Sequence, residues 1–254
     1  TTCRCCGGSN LTKVMDFGPM PLAGGFLKPE QFAQEKLYPL HVSFCQDCTL
    51  VQVPQAIPPE VLFKNYFFFS SAIKTLTEHC TALAQELYEG FLKDRYNPSV
   101  FEIGCNDGVM LKPFSALGVK AVGVDPATNV VNSVKQEGFT IINDFFSEEV
   151  AERVLDEYGQ FDVITSTYSF AHIDNMVSVA KGIERILKKD GVFMFEIYYL
   201  GTLMEELQYD MIYHEHCNYY SLKSLQNFLS RHGMEIFDVK YTPGVRTGAT
   251  RFYA

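Results

Sequence analysis

The sequence predicts an α/β protein whose mostly parallel sheet follows a small, metal-stabilised N-terminal module. Three observations support this fold class. An apolar run turns through glycines into a helical pattern at 99–111, strands and helices alternate regularly after it, and two Cys-x2-Cys pairs lie within the first 48 residues. Together they indicate one nucleotide-binding α/β domain, preceded in the chain by a small accessory module that a bound metal stabilises.

The composition fits a globular enzyme and limits the class of partner. The chain has 254 residues, of which 47% are hydrophobic and 20% charged, so it can bury one α/β domain and a small module. A net charge of −9 argues against nucleic-acid binding, which needs basic surface. The most apolar stretch, Val192–Met204, is interrupted by Glu196, so we expect no membrane partner.

We expect a cytoplasmic location, because no secretion signal precedes the first cysteines. The chain begins with Thr1 and not with Met, which leaves open whether the natural start lies upstream. Eight cysteines without a secretion signal favour metal ligands or free thiols over disulfides.

The first predicted unit, residues 1–59, is rich in glycine and proline and too short for a core of its own. Four thiolates in two Cys-x2-Cys pairs can close a tetrahedral structural zinc site. A dithiol redox motif and two disulfides are the alternatives, and Cys5 lies outside the favoured spacing. The predicted zinc ligands are Cys3, Cys6, Cys45 and Cys48.

Residues 60–98 form the second predicted unit, a linker and helical segment. Val61–Ser71 is dense in aromatic residues, and apolar residues then recur every three or four positions, which predicts an amphipathic helix capped by Ser70 or Ser71.

The third unit, residues 99–254, opens with the strand, turn and helix at 99–111. Gly104 and Gly108 allow a sharp turn and a close approach to a ligand. The spacing is not G-x-G-x-x-G, and the carboxylates of Glu102 and Asp107 suit a cationic amino-acid ligand better than a phosphate.

Acidic residues also end the next two predicted strands. Asp125 follows the strand that starts at Lys120 and lies 21 positions after Gly104, where an acid can accept both hydroxyls of a ribose. Asp144 ends the strand that starts at Phe139 and could accept from an adenine amino group, with Phe145 or Phe146 beside the ring. Further strands are predicted at 161–165, 192–197, 235–241 and 250–253, which makes seven.

Residues 99–254 therefore resemble the class I S-adenosylmethionine (SAM) methyltransferases, whose first motif has the form E-x-G-x-x-x-G. The resemblance implies a seven-stranded Rossmann-like sheet and SAM as the cofactor. It assigns cofactor binding to Glu102, Gly104, Asn106, Asp107, Gly108, Asp125, Pro126, Asp144, Phe145 and Ser166.

A second cluster of titratable residues, Tyr213-His214-Glu215-His216, lies in an aromatic stretch after the fifth strand. It is not the H-E-x-x-H of zinc proteases, because one residue between the histidines does not place them on one helical face. Histidines hydrogen-bonded in a loop would be the structural explanation of this cluster.

The zinc module, the aromatic segment, the SAM core and the Y-H-E-H motif together resemble nucleotide-sugar C-methyltransferases. That family typically methylates C3 of a dTDP-linked 4-keto deoxysugar. The resemblance implies a structural zinc and assigns active-site roles to His172, Tyr213, Glu215 and His216. Tyr66 matches an active-site tyrosine less firmly, because Phe68 stands where a second tyrosine is common. Members of the family usually continue into a further domain that helps hold the nucleotide-sugar, whereas this chain ends at Ala254.

The expected chemistry is removal of a proton beside a ketone, formation of an enediolate and attack on the SAM methyl group. We predict His216 as the base and Tyr213 as the alternative, with His172 and Glu215 orienting the sugar or the base. All three motif residues can converge only if the segment is an irregular loop, because in a strand His216 would point away from the other two. An O-methyltransferase and a non-catalytic zinc- and SAM-binding scaffold are the alternative functions. We expect a monomer or a weak oligomer.

Overall fold

We describe a computed structural model of the chain, covering residues 2–24, 26–55, 57–242 and 249–254. Two sheets organise the described residues, one with four strands and one with seven. Their strands are β1 (Leu11–Pro21), β2 (Leu37–Cys45), β3 (Val51–Gln52), β4 (Ser99–Ile103), β5 (Lys120–Val124), β6 (Phe139–Ile142), β7 (Phe161–Thr167), β8 (Leu187–Tyr198), β9 (Asn218–Tyr219), β10 (Asp238–Thr242) and β11 (Ala249–Tyr253).

Helices connect and cover these strands. The α-helices are α1 (Pro59–Phe63), α2 (Lys74–Leu87), α3 (Leu111–Ala116), α4 (Thr128–Val131), α5 (Glu148–Tyr158), α6 (Met176–Ile186), α7 (Leu200–Glu205) and α8 (Leu222–Leu229).

The larger sheet has the order β10-β11-β8-β7-β4-β5-β6. Strands β8, β7, β4, β5 and β6 pair in parallel, and β11 and β10 add an antiparallel edge. The prediction of a mostly parallel seven-stranded sheet is therefore confirmed. Because the carboxyl ends of parallel strands meet at one edge, the turns after β4, β5 and β7 lie side by side there.

Strand β4, the middle one of the five parallel strands, is buried on both faces, as a parallel strand covered by helices on each side should be. Alternate side chains enter different core clusters: Phe101 and Ile103 pack on one face, and Val100 packs on the other. The strand ends in a turn at Gly104, whose φ is 74°. A Cβ at Gly104 would lie 2.5 Å from the Cβ of Ser169, so only glycine fits there.

The smaller sheet joins the N-terminal module to the core. Its order is β1-β2-β3-β9, and all of its pairs are antiparallel. Strand β9 lies far along the chain, just after the Y-H-E-H motif, so the motif is anchored directly on the module. The predicted division into residues 1–59, 60–98 and 99–254 stays a prediction. Strand β9 belongs to the third of these units by sequence but pairs with β3 of the first.

A buried charged network attaches α2 to the larger sheet. The fully buried Glu196 accepts from Arg251 Nε at 2.8 Å, and its other carboxylate oxygen lies 2.7 Å from His79 Nε2. Arg251 also donates to Glu86 at 2.7 Å. Ionic hydrogen bonds satisfy the buried carboxylate, which an apolar core would otherwise penalise.

Element boundaries differ from the predictions where two signals compete. The sequence predicts a helix over Met176–Lys188 that stops at Lys189-Asp190-Gly191, but α6 ends at Ile186, because Leu187 already pairs with Phe161 at the start of β8. Helix α2 begins after Ile73, without a side-chain cap from Ser70 or Ser71. Among the described helices, none combines the length and apolar character needed to cross a bilayer.

Candidate active site

The turn after β4 forms the floor of the first cavity. Glu102 is 1% exposed, and its Oε1 accepts from Thr167 Oγ1 at 3.0 Å. The pKa of Glu102 is raised to about 8, mainly by burial and in part by the carboxylates of Asp125 and Asp107, although the hydrogen bond from Thr167 opposes the shift. Within the described part of the chain, Glu102 Oε2 has no hydrogen-bond partner. A buried, unpartnered carboxyl oxygen is suited to receive a cationic group.

Asp125 follows β5 beside this turn. Its two carboxylate oxygens each accept a backbone N–H at 2.8 Å, from Asn106 and from Ala127. Burial raises the pKa of Asp125 although these two hydrogen bonds oppose it. Each oxygen keeps acceptor capacity toward the cavity, which suits a diol such as a ribose.

The first cavity has a volume of about 430 Å³, within the range of small-molecule sites. Its walls come from the turns after β4, β5, β6 and β7 and from residues 59–70. Of the residues predicted to bind the cofactor, those that line it are Glu102, Gly104, Asn106, Asp125, Pro126 and Phe145.

Four predicted cofactor residues do not line this cavity. Asp107 accepts from Ser71 N–H and Oγ instead, at 3.0 and 2.6 Å. Asp144 forms an ion pair with Arg153. A Cβ at Gly108 would meet Phe139, so this glycine serves strand packing. Ser166 is fully buried, and its hydroxyl pairs with Ser169 Oγ at 2.8 Å.

A second cavity of about 390 Å³ adjoins the first. Tyr66, Phe68, Tyr168 and His172 line both, so they form the boundary between the two spaces. The remaining residues that line the second cavity are Ala23, Gly24, Phe67, Ile73, Tyr198, Tyr213, Glu215 and His216. The structure thus brings all five predicted active-site residues to one cavity.

The Y-H-E-H motif reaches this cavity because its backbone is irregular, as the convergence argument predicts. A 3-10 turn covers Tyr209–Met211, and the first strand residue after the motif is Asn218. His214 is the exception and points to the N-terminal sheet, where its Nε2 lies 3.3 Å from the carbonyl oxygens of Tyr38 and Pro39.

Backbone contacts determine which nitrogen of His216 is basic. His216 Nδ1 lies 2.9 Å from the Met211 carbonyl oxygen, which can only accept, so Nδ1 carries a proton. In the neutral ring Nε2 is then an acceptor, and the Tyr213 hydroxyl lies 2.9 Å from it. Tyr213 and His216 therefore form a hydrogen-bonded pair in which a proton can pass from the tyrosine to the histidine.

Glu215 supplies an acid of nearly neutral pKa in the same cavity. Burial raises the pKa of Glu215 to about 7, although the hydrogen bond from Tyr66 opposes the shift. The Tyr66 hydroxyl donates to Glu215 Oε2 over 3.3 Å. Near pH 7, Glu215 can therefore either accept or donate a proton.

Aromatic stacking holds the predicted histidine of the β7 loop. The His172 ring stacks on His216 with centroids 5.0 Å apart, and on Phe63 with centroids 5.6 Å apart and an interplanar angle of 7°. Phe63 extends this stack, although the sequence alone did not indicate a role for it. The only sequence feature that pointed to this region was the high density of aromatic residues in Val61–Ser71.

The four predicted zinc ligands form one cluster in which all sulfurs lie within 4.8 Å of each other. The Cys3–Cys48 and Cys6–Cys45 sulfur distances are 3.5 and 3.6 Å. Tetrahedral Zn–S bonds of about 2.3 Å place sulfurs about 3.8 Å apart, so the cluster fits zinc. The thiols are free, which contradicts the disulfide alternative. Cys5 is buried outside the cluster.

Comparisons with known proteins agree with both parts of the molecule. A family model described as a methyltransferase domain matches residues 76–239, and one described as a zinc binding domain matches residues 3–63. The chain belongs to the methyltransferase-domain family. The predictions of a SAM-binding methyltransferase core and of a zinc-binding module are thereby confirmed.

Relatives of known name extend the comparison over nearly all of this chain. C-methyltransferase NovU of Streptomyces niveus is 35% identical over 254 residues, which is 99% of this chain and 60% of the relative. The chain therefore spans less than two thirds of that relative. A ubiquinone biosynthesis O-methyltransferase of Colwellia psychrerythraea is 24% identical over 165 residues, covering 58% of this chain and 66% of the relative.

Solved structures share the fold at low sequence identity. A methyltransferase of Haloferax volcanii, solved in complex with the Trm112 activator, has a TM-score of 0.55 and 12% identity, covering 71% of this chain and 91% of that one. A SAM-dependent methyltransferase of Clostridium acetobutylicum has a TM-score of 0.51 and 13% identity, covering 72% and 92%. These similarities support the class I methyltransferase fold.

Proposed function

We propose that the protein transfers a methyl group from SAM to a carbon atom beside a ketone in a sugar ring. The observation that carries this proposal is the pair of adjoining cavities with a shared wall. One has a buried, unpartnered carboxyl oxygen suited to a cationic cofactor, and the other contains a Tyr-His pair and an acid of nearly neutral pKa.

The residues of the first cavity would hold SAM, which supplies an electrophilic methyl group when it is bound. Glu102 would pair with the ammonium group, Asp125 would accept from the ribose hydroxyls, and Phe145 would lie beside the adenine. Asp144 pairs with Arg153 and is not among the residues that line this cavity, so its contact with the adenine amino group stays a prediction.

Tyr213 and His216 would act together as the base. A carbon beside a ketone becomes nucleophilic only after it loses a proton, so the enzyme needs a base that works near neutral pH. Tyr213 would take the proton from carbon as its own hydroxyl proton moves to His216 Nε2, which the Met211 carbonyl keeps unprotonated in the neutral ring. His172 and Glu215 would orient the sugar, Glu215 by accepting from a hydroxyl group.

The lining of the second cavity favours an uncharged, hydroxylated ring as the substrate portion bound there. It combines aromatic faces with phenol, imidazole and carboxyl groups and includes no lysine or arginine. A diphosphate would lack a charged partner among these residues. If the substrate is a dTDP-linked 4-keto deoxysugar methylated at C3, as the family resemblance implies, the sugar ring occupies this cavity and the nucleotide extends beyond it.

O-methylation of a sugar or another small molecule is the second candidate. The O-methyltransferase relative shares 24% identity, and the Tyr-His pair could deprotonate a hydroxyl group as well as a carbon. The two reactions differ in whether a C–H bond breaks before the methyl group moves.

Mass spectrometry distinguishes the two reactions. The enzyme is incubated with SAM and a panel of 4-keto nucleotide-sugars, and separately in deuterium oxide with S-adenosylhomocysteine in place of SAM. C-methylation predicts a product heavier by one methylene unit and deuterium uptake at the acceptor carbon. Methylation without any deuterium uptake would indicate the O-methyltransferase.

Variants of the base test the proton path. His216→Asn and Tyr213→Phe should each reduce deuterium uptake about a hundredfold or more while binding S-adenosylhomocysteine normally, because each removes one half of the pair. Normal exchange in His216→Asn with loss in Tyr213→Phe would make Tyr213 the base and His216 only its hydrogen-bonding partner.

A further inference from the structure

The residues 64–71, called here the aromatic strap, separate the two cavities and carry Tyr66. Hydrogen bonds from the cofactor side attach the strap at both ends. Thr128 N–H donates to the Lys64 carbonyl at 3.1 Å. At the other end, the Asn106 side chain donates to the Phe68 carbonyl at 3.0 Å and accepts from Ser70 N–H at 2.9 Å.

Asn129 holds the middle of the strap at Tyr66. Its Nδ2 donates to the Tyr66 carbonyl at 2.7 Å, and its Oδ1 accepts from Tyr66 N–H at 2.8 Å. One planar amide thus satisfies both backbone groups of a single residue, which fixes the orientation of that peptide segment. Asn129 lies on α4, two residues after Ala127 in the wall of the first cavity.

We propose that Asn129 is a positioning residue that holds the Tyr66 hydroxyl against Glu215. This inference rests on the proposed function, in which Glu215 orients the substrate. Asn129 itself lines neither cavity. Its effect on the reaction is transmitted through the backbone of Tyr66.

Because the strap is attached at both ends, the effect of Asn129 on Tyr66 can be measured without detaching the whole strap. In Asn129→Ala, the contacts of Lys64, Phe68 and Ser70 remain, so the strap stays in place while the Tyr66 backbone loses the two hydrogen bonds that Asn129 makes to it. Asn129 is exposed, so its replacement creates no cavity in the core. The variant should fold, and a thermal unfolding midpoint within about 2 °C of wild type checks this.

The pKa of Glu215 reports the contact directly. Burial raises this pKa to about 7, and the Tyr66 hydrogen bond opposes the shift, so loss of the bond raises it further. The other titratable groups that line the cavity with Glu215 are Tyr66, Tyr168, His172, Tyr198, Tyr213 and His216. Asn129→Ala changes none of these side chains chemically, and Tyr66 is the one of them whose backbone Asn129 holds, so a shift in the Glu215 titration comes from repositioning of Tyr66.

The experiment compares Asn129→Ala, Tyr66→Phe, the double variant and a control, Asn132→Ala. Asn132 is exposed at the end of the same helix. The Glu215 carboxyl is titrated by carbon NMR of glutamate-labelled protein, with its signal assigned by Glu215→Gln. The pH profile of kcat for methyl transfer and the affinity for S-adenosylhomocysteine are measured beside it.

We expect both single variants to raise the Glu215 pKa by the same amount and the double variant to add nothing further. The acidic limb of the pH profile should move upward with it. The kcat for methyl transfer should fall about tenfold in Asn129→Ala, with cofactor affinity within about twofold and Asn132→Ala unchanged. Asn129→Asp, which keeps only the acceptor for Tyr66 N–H, should fall between wild type and Asn129→Ala.

An unchanged Glu215 titration in Asn129→Ala would overturn the proposal, as would additive shifts in the double variant. The NMR titration needs no substrate. If no keto-sugar is methylated while the titrations of the single variants still coincide, the proposed function fails and the positioning by Asn129 stands.

Discussion

The burial of Glu102 predicts that cofactor binding releases a proton. With a pKa of about 8, close to nine tenths of this carboxyl is protonated at pH 7. An ammonium group placed beside the unpartnered Oε2 would favour the carboxylate and expel that proton. We therefore expect about 0.9 proton released per S-adenosylhomocysteine bound at pH 7, and an affinity that rises almost tenfold per pH unit below pH 7 and levels off above about pH 8.

Titration calorimetry in buffers with different ionisation enthalpies measures this release. Glu102→Gln should release no proton at pH 7 and should bind about ten- to a hundredfold more weakly at pH 8.5, because a charged hydrogen bond is lost. Glu149→Gln is the matched control, since Glu149 lies on the exposed rim of the same cavity and its pKa is lowered, mainly by a hydrogen bond from Ser147. Proton release by wild type that persists in Glu102→Gln would refute the assignment, and so would its absence in wild type.

The same pKa shift fixes the sign of a stability effect. The carboxyl of Glu102 binds its proton more tightly in the folded chain, at about 8, than at its ordinary pKa of 4.5. Between these values the folded state carries the extra proton, so the free energy of unfolding without ligand falls as pH rises from about 4.5 to 8. Glu102→Gln removes this loss and should be more stable than wild type at pH 8 by about 4 kcal/mol, because each pH unit between the two pKa values is worth about 1.4 kcal/mol.

Three further predictions concern the zinc module and the ribose. Elemental analysis should find about one zinc per chain, and Cys48→Ser should lower both the zinc content and the thermal unfolding midpoint. Native protein without zinc would contradict the four-cysteine zinc site. Asp125→Ala should weaken binding of SAM and of S-adenosylhomocysteine equally, about a hundredfold, whereas unchanged calorimetric affinity would exclude the ribose contact. Arg4→Ala should keep its zinc but lose about 2 kcal/mol of unfolding free energy and several-fold in cofactor affinity, because the buried Arg4 side chain pairs with Asp174 in the cavity wall. Lys13→Ala, which breaks an exposed ion pair, is the control. Equal losses in both variants would count against a link between Arg4 and the cofactor cavity.

The sequence was sufficient for the fold because its signals are local. The parallel strands contain short apolar runs, and the glycines of the turn after β4 follow the first of these runs directly in the sequence. The two Cys-x2-Cys pairs likewise identify a metal site from spacing alone. The five active-site residues came from a family resemblance, and the structure brings them to one cavity without testing their roles.

Side-chain direction could not be predicted in this way. Asp107 and Asp144 both follow strand ends, where ligand carboxylates are expected, yet one is engaged by Ser71 and the other by Arg153. Ser71 lies 36 positions from Asp107, and Arg153 lies 9 positions from Asp144. No sequence motif records either spacing. The expected helix cap at Ser70 or Ser71 is absent because α2 begins only at Lys74, with Ile73 at the N-cap position.

These contacts give the accessory segments a common role. The zinc module supplies Arg4 to the loop after His172 and pairs β3 with β9, next to the Y-H-E-H motif. The aromatic strap is attached to Asn106, whose backbone N–H also donates to Asp125. Both segments therefore connect the cofactor edge of the sheet to the second cavity. A methyl group is transferred between two bound molecules only when their reacting atoms are aligned, so rigid attachment of these two segments is what the proposed reaction requires.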